Sequence, residues 1–274
     1  MKRVLILLVG IGMALTSTAQ TDTTQRKTDT IHIGNMIIIK TPGAAPTPES
    51  TREAIRTYER KRKASPVSTN WLVIDIGFTN YSDKTNYAGA EAQAFAPGAT
   101  EDWFKLRSGK SSTVSIWIFM QRISLIKNYV NLKYGLGVET NNYRYTQPIK
   151  YNTNPTQVVM DNSTHYSKNK LAADYVTIPM MLNFNFTPRR KHSYGFSVGA
   201  SAGYLYSSRQ KTITDKDGKQ KTHDDFDLDP WKISYVGEVS LGYIKLFGSL
   251  ATKSMFEKGL DQTPYSFGIR LSNW

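Results

Sequence analysis

From Trp71 to Trp274 the chain alternates apolar and polar residues with period two, in eight successive stretches. A strand turns successive side chains to opposite faces, so this pattern predicts strands with one apolar and one polar face. In the first, Leu72, Ile74, Ile76 and Phe78 share a face against Val73, Asp75, Gly77 and Thr79. In the third, Val130, Leu132, Tyr134, Leu136 and Val138 oppose Asn131, Lys133, Gly135, Gly137 and Glu139. The second, Thr113 to Ser124, puts Val114, Ile116, Ile118 and Met120 together, but its other face is mixed: Ser115, Trp117, Phe119 and Gln121. The fourth runs from about Ala172 to Phe186 with Pro179 in its middle. Proline cannot donate a ladder bond, so a bulge is expected there. The fifth is Tyr194 to Tyr206, where Gly195, Gly199 and Gly203 are expected to leave room for bulky inward neighbours. The sixth sets Trp231, Ile233, Tyr235, Val239 and Leu241 against Lys232, Ser234, Glu238 and Ser240. The seventh is about Ile244 to Thr252, and the eighth sets Tyr265, Phe267, Ile269 and Leu271 against Ser266, Gly268, Arg270 and Ser272.

The joins alternate in length. Short ones (Leu125–Lys127, Thr187–Lys191) take turns with long polar ones (Ser82–Ser112, Gln147–Asn169, Ser208–Pro230). That rhythm belongs to an up-and-down membrane barrel with tight periplasmic turns and long outer loops. The predicted fold is all-β: an eight-stranded antiparallel up-and-down transmembrane β-barrel over 70–274, with both termini periplasmic. Aromatics fall at both strand ends, where amphipathic rings settle at headgroup depth. Trp71, Tyr129, Phe184, Phe186, Tyr194, Tyr243 and Trp274 mark one girdle; Phe78, Tyr143, Tyr145, Tyr175, Tyr204, Tyr206, Trp231 and Tyr265 mark the other. A soluble sandwich would alternate too, but has no reason for matched girdles. Trp274 is out of phase with Leu271, Ile269 and Phe267, so a bulge or an overhanging last residue is expected.

The first 70 residues differ. Lys2-Arg3, an apolar run from Val4 to Leu15, and Ser17-Thr18-Ala19 predict a cleaved secretory signal over 1–19. The run falls short of the about 20 apolar residues that a spanning helix needs. Residues 20–69 are expected to form a mostly irregular periplasmic segment. It holds a short hairpin around Gly34-Asn35, a proline-rich linker from Thr41 to Pro48 and a short helix from Glu49 to Lys63 with a basic end. That segment reads as a tether, or as a contact with anionic headgroups or cell wall.

Composition narrows the chemistry. There is no Cys, which removes disulfides, thiolate metal sites and thiol nucleophiles together. The net charge of +13 invites nucleic acid, but an exported chain without an aromatic-basic recognition motif points instead to outer-membrane lipids and lipopolysaccharide. The inward parity collects Asp75, Lys133, Glu139, Lys232, Glu238, Lys245 and Arg270. An eight-stranded ring is just wide enough for side chains to fill, and buried charge is costly unless paired. A charge-paired network closing the lumen is therefore predicted, with a narrow pore or transporter as the alternative. A lipid-modifying enzyme is a second alternative, resting on His165, on His223 and on the Asp161-Ser163-His165 cluster, whose setting is a polar loop. The Asp215-Lys216-Asp217-Gly218 stretch lacks the further ligands of a calcium loop and reads as a turn. No catalytic residue, metal or cofactor is expected.

At strands two and three the wording is recognisable: Ile116-Trp117-Ile118-Phe119-Met120-Gln121-Arg122, then Val130-Asn131-Leu132-Lys133-Tyr134-Gly135-Leu136-Gly137. With the segment from Asp29 to Lys40 and the ending Gln262-Thr263-Pro264-Tyr265-Ser266-Phe267-Gly268, it resembles PorT-like outer-membrane barrels of Bacteroidetes. The resemblance implies an outer-membrane barrel and brings no catalytic residues. The long loops exceed what closure requires, so a structural or interaction role is expected, with an envelope protein met by the outer loops or the periplasmic tail.

Overall fold

The computed structural model describes residues 29–33, 36–40, 66–188 and 193–272. The chain divides into two units, Met1–Arg62 and Lys63–Trp274. Within the first, β1 (Asp29–Ile33) and β2 (Met36–Lys40) pair as an antiparallel hairpin, with Ile33 opposite Met36. The expected signal, proline linker, basic helix and Trp274 lie outside the described residues.

The second unit is built of strands. In chain order they are β3 (Val67–Asp83), β4 (Ser112–Ile126), β5 (Val130–Arg144), the short hairpin β6 (Ile149–Asn152) and β7 (Gln157–Met160), and β8 (Tyr166–Asn185). Then come β9 (Tyr194–Thr214), β10 (Gly218–His223), β11 (Trp231–Leu241), β12 (Ile244–Ala251) and β13 (Gln262–Leu271). Neighbours in the chain pair antiparallel, and β13 pairs with β3, which closes β3, β4, β5, β8, β9, β11, β12 and β13 into a ring of eight. β10 borders the far half of β9 and lies outside the ring.

Period two sets what each residue faces. Ile118, Ile178, Met180, Val198, Tyr235 and Phe267 are each more than half exposed on the outer face. An apolar belt of that extent is untenable in water and needs a hydrocarbon surround. No helix of the described residues is long and apolar enough to cross a membrane, so crossing falls to the strands.

Two expectations shift. Register between β4 and β5 slips between Trp117 and Phe119, where Ile118 is the extra residue. A bulge advances the parity by one, so Met120 points inward and is fully buried, while Phe119 turns out against Trp71, ring centroids 6.1 Å apart. The mixed face of the second stretch is that change of phase. At Pro179, by contrast, there is no bulge. Pairing with β5 lapses between Tyr134↔Met180 and Gly137↔Thr177, with the same register on both sides, and pairing with β9 runs straight through Pro179↔Ser201. The missing N–H interrupts one ladder without adding a residue. This hairpin has two bulges farther up: Asp174 pairs with Ser207 but Tyr175 with Leu205, leaving Tyr206 extra, and Tyr166 pairs with Thr214 but Lys168 with Ile213, leaving Ser167 extra.

Main chain, more than side chains, occupies the space at Gly199. A Cβ there would sit 2.1 Å from the Met180 carbonyl oxygen and 2.6 Å from the Met181 Cα. Gly199→Val is therefore expected to abolish the heat-modifiable folded band on a detergent gel, while Ala200→Val on the exposed face retains it. A normal folded band for Gly199→Val would refute the close approach.

Candidate functional site

The interior is polar through the middle of the ring. Arg270 on β13 grips Asp75 on β3 through two bonds of 2.7 Å, from Nε to Oδ1 and from Nη2 to Oδ2. Its Nη1 reaches Glu238 Oε2 at 2.5 Å, and Glu238 Oε1 accepts from Lys133 Nζ at 2.6 Å. Trp117 Nε1 donates to Asp75 Oδ2 at 2.8 Å. Its ring lies 5.7 Å from the Arg270 guanidinium, a cation–π contact. Nearer the long loops, Lys232 pairs with Glu139, which also accepts from Asn141 Nδ2 at 2.9 Å. Lys245 donates to Ser272 Oγ and borders Glu238 in a small interior recess. The seven inward charges thus form two groups: Asp75, Arg270, Glu238, Lys133 and Lys245 toward the short turns, Glu139 and Lys232 above them.

An eighth member was hidden by the Ile118 bulge. Counting straight along β4 puts Gln121 inward; the extra residue puts Arg122 there instead, opposite Lys133 and beside Glu238. The interior then holds five cations against three carboxylates. Packing leaves a cavity of about 30 Å³ between Asp75, Trp117, Glu139, Met181 and Arg270, enough for a water or two.

Toward the long loops the interior changes character. Helix α1 (Ala90–Phe95), the β6–β7 hairpin and the Phe226–Leu228 and Met255–Leu260 segments fold over the ring mouth around one apolar cluster. Phe95, Phe104, Tyr143, Tyr145, Tyr151 and Phe226 are among its large members, all buried. Phe95 meets Phe256 edge-on at 5.5 Å, and Tyr151 meets Phe226 likewise at 5.4 Å. Tyr145 and Tyr151 share a hydroxyl hydrogen bond of 2.8 Å, and burial pushes both hydroxyls well above the usual tyrosine range. Two buried amides clamp the hairpin. Gln210 Nε2 donates to the Ile149 carbonyl at 2.9 Å and Gln210 Oε1 accepts from the Tyr151 N–H at 3.0 Å. Asn169 Nδ2 reaches the same Ile149 carbonyl at 2.6 Å.

This cap corrects part of the girdle. Trp71, Tyr129, Tyr204, Trp231, Tyr243 and Tyr265 are on the outer face. Tyr143, Tyr145 and Tyr175 lie instead inside the cap, because Tyr143 continues the inward row of Glu139 and Asn141. Tyr175 stands 5.4 Å from the Lys232 ammonium and joins the charged interior to the cap. The cap itself was concealed in stretches of polar composition. Its trace is the spacing of Ile149 with Tyr151 and of Val158 with Met160.

The Asp161-Ser163-His165 cluster does not assemble as a relay. Ser163 Oγ bonds Asp161, and that hydroxyl holds the carboxyl below its usual range. His165 Nδ1 faces Asp215 at 3.0 Å, with both side chains exposed.

A family model described as outer membrane protein beta-barrel domain matches residues 84–261. The chain belongs to that family. Its ring of strands is an outer-membrane barrel domain, and the match runs from just after β3 to just before β13, taking in the cap loops and the six ring strands between. No curated protein matches. Among solved structures, the attachment invasion locus protein Ail of Yersinia pestis aligns at 9% identity and a TM-score of 0.30, covering 74% of this chain and 98% of that one.

Arg270→Met would strand Asp75 in the interior without its ion pair, while Glu238 keeps Lys133. Removing one partner of a buried pair costs about 3–5 kcal/mol, a loss to be read from urea unfolding in micelles. Adding Asp75→Asn should recover most of it, since Glu238 keeps its ion pair with Lys133. A single substitution without effect would show that the guanidinium is dispensable.

Proposed function

We propose that this barrel is a closed, non-enzymatic structural or interaction protein of the cell envelope, using its capped long-loop end to contact a partner. The observation that carries the reading is the double closure: a charge-filled interior below and an aromatic plug above. Loops that only joined strands would not need a core of their own. A folded cap offers a partner a fixed surface at small entropic cost.

In this reading the signal over 1–19 sends the chain outward, the short turns and both termini lie in the periplasm, and the capped loops face outside. Outer-membrane lipids and lipopolysaccharide surround the ring, and an envelope protein is the partner. The Asp29–Lys40 hairpin and the strand-two and strand-three wording favour a PorT-like barrel of Bacteroidetes. Against catalysis speaks the pairing of His165 with Asp215 in place of Ser163. Against a pore speaks the small interior cavity.

Purified full-length protein in a planar bilayer should give no discrete conductance steps. Steps of stable size would turn the reading to transport. Gln210→Leu removes three cap hydrogen bonds and should cost about 1–3 kcal/mol. Proteolysis between residues 147 and 161 should then accelerate while the ring stays folded. Equal cleavage of both proteins would mean that the hairpin is not clamped.

A further inference from the structure

Past the long-loop aromatic belt the sheet continues. β8 and β9 run on as a hairpin, β5 borders β8 as far as Arg144, and β10 borders β9. Inward positions here are buried, among them Leu171, Ser208 and Gln210. The alternate, outward positions are basic. Arg144 stands opposite Lys170, Lys170 opposite Lys211, and Lys211 opposite Lys221. One row crossing four neighbouring strands therefore carries four cations, over roughly 15 Å. Lys168 and Lys219, both opposite Ile213, extend it toward the tip.

Like charges directly opposite each other destabilise a sheet. Here Lys168, Lys219, Lys221 and Arg209 all oppose the charge of Lys211. Of the neighbouring acids, Asp174 is ion-paired with Arg209 and Asp215 faces His165, which leaves Asp217 in the β9–β10 turn against six cations. Arg144 donates to the Ser167 carbonyl and Lys170 to Asn142, contacts that hold the side chains without neutralising them. The row asks for an external anion.

Its height identifies the anion. Lys211 is five residues beyond Tyr206 on β9, which at ordinary strand rise and barrel tilt is roughly 13 Å above the belt. A phospholipid headgroup layer is only about 5–8 Å thick. We propose that this basic face binds the phosphorylated saccharide headgroups of an outer-leaflet glycolipid of the lipopolysaccharide class. The inference rests on the reading that the long loops face outside.

The test titrates the folded full chain in micelles with lipopolysaccharide, with its dephosphorylated form and with phosphatidylglycerol. The comparison is between Lys170→Gln/Lys211→Gln/Lys221→Gln and a charge-matched control, Lys84→Gln/Lys110→Gln/Lys258→Gln; a heat-modifiable band verifies folding of each. The row variant should lose on the order of tenfold to a hundredfold in affinity for lipopolysaccharide, while the control stays near wild type. Dephosphorylated glycolipid and phosphatidylglycerol should bind wild type as weakly as lipopolysaccharide binds the row variant. Undiminished binding by the row variant, an equal loss in the control, or equal affinity for phosphatidylglycerol would each overturn the proposal. Lys211→Cys labelled on intact cells with an impermeant maleimide separates the two readings. No labelling unless the outer membrane is opened overturns the orientation; labelling together with unchanged glycolipid affinity overturns this inference alone.

Discussion

A sheet in hydrocarbon must close on itself, because an open edge leaves N–H and C=O groups with nothing to bond. Here closure depends on the pairing that joins the first ring strand, β3, to the last, β13. That seam is pinned on both faces. Phe78 stands opposite Phe267 on the outside, rings 6.1 Å apart, and Asp75 stands opposite Arg270 on the inside in a two-bond ion pair. Between them Gly77 faces Gly268, and a Cβ on Gly268 would lie 2.2 Å from the Ile76 carbonyl oxygen. A slip of one residue would swap every side chain between lipid and interior. It would also place one of Asp75 and Arg270 on hydrocarbon and leave the other unpaired inside. The ion pair therefore specifies register, whatever it contributes to stability net of desolvation.

The rest of the interior follows from ring size. Eight strands leave width for side chains alone, so inward residues must fill the space and satisfy one another. Glu238 is the junction, accepting from Lys133 and from the same Arg270 that holds the seam. The seam is thereby tied across the lumen to β5 and β11. Above, where less charge is available, filling is done by tyrosines and phenylalanines delivered by the loops. Tyr175, adjoining Lys232, is the contact between the two regimes.

Much of this was legible because period two is a local property. Strand number, the facing of Asp75, Lys133 and Arg270, and the alternation of short and long joins can all be read residue by residue. What escaped were events that shift phase or act at a distance. One extra residue at Ile118 hid Arg122 from the interior and moved Met120 into it. Pro179 suggested a bulge because its missing donor is visible in sequence, whereas its position beside a lapsed stretch of pairing is not. Tyr143 was assigned to the belt from its distance along the strand, when its parity with Glu139 and Asn141 was the better guide. The cap was illegible for a plainer reason. Most of its apolar residues come from four loops, none apolar on average, and only the closed ring brings them together with Tyr143, Leu171 and Tyr175 of the strands.

The strands also record where hydrocarbon ends. In the lower part of β8 and β9 the outward row is Val176, Ile178, Met180 and Val198, and the inward row includes Asn183, Ser197 and Ser201. Beyond Asp174 and Tyr206 the assignment inverts: Leu171, Ala173 and Tyr175 are buried inside, and Lys170, Arg209 and Lys211 face out. On β8 the alternation itself is unbroken, the odd-numbered residues facing inward from Asn169 to Asn185; what changes is which parity is apolar. Composition alone would place tyrosine on lipid and lysine in the lumen throughout. The inversion coincides with the bulge at Tyr206, where an added residue can shift a strand's phase. Burial of the cap and exposure of the basic row are therefore two consequences of one change of surroundings. A sheet that keeps its hydrogen bonds across that boundary reverses which parity is apolar, since below it hydrocarbon lies outside and a charged interior inside, and above it the apolar cap lies inside and polar surroundings outside.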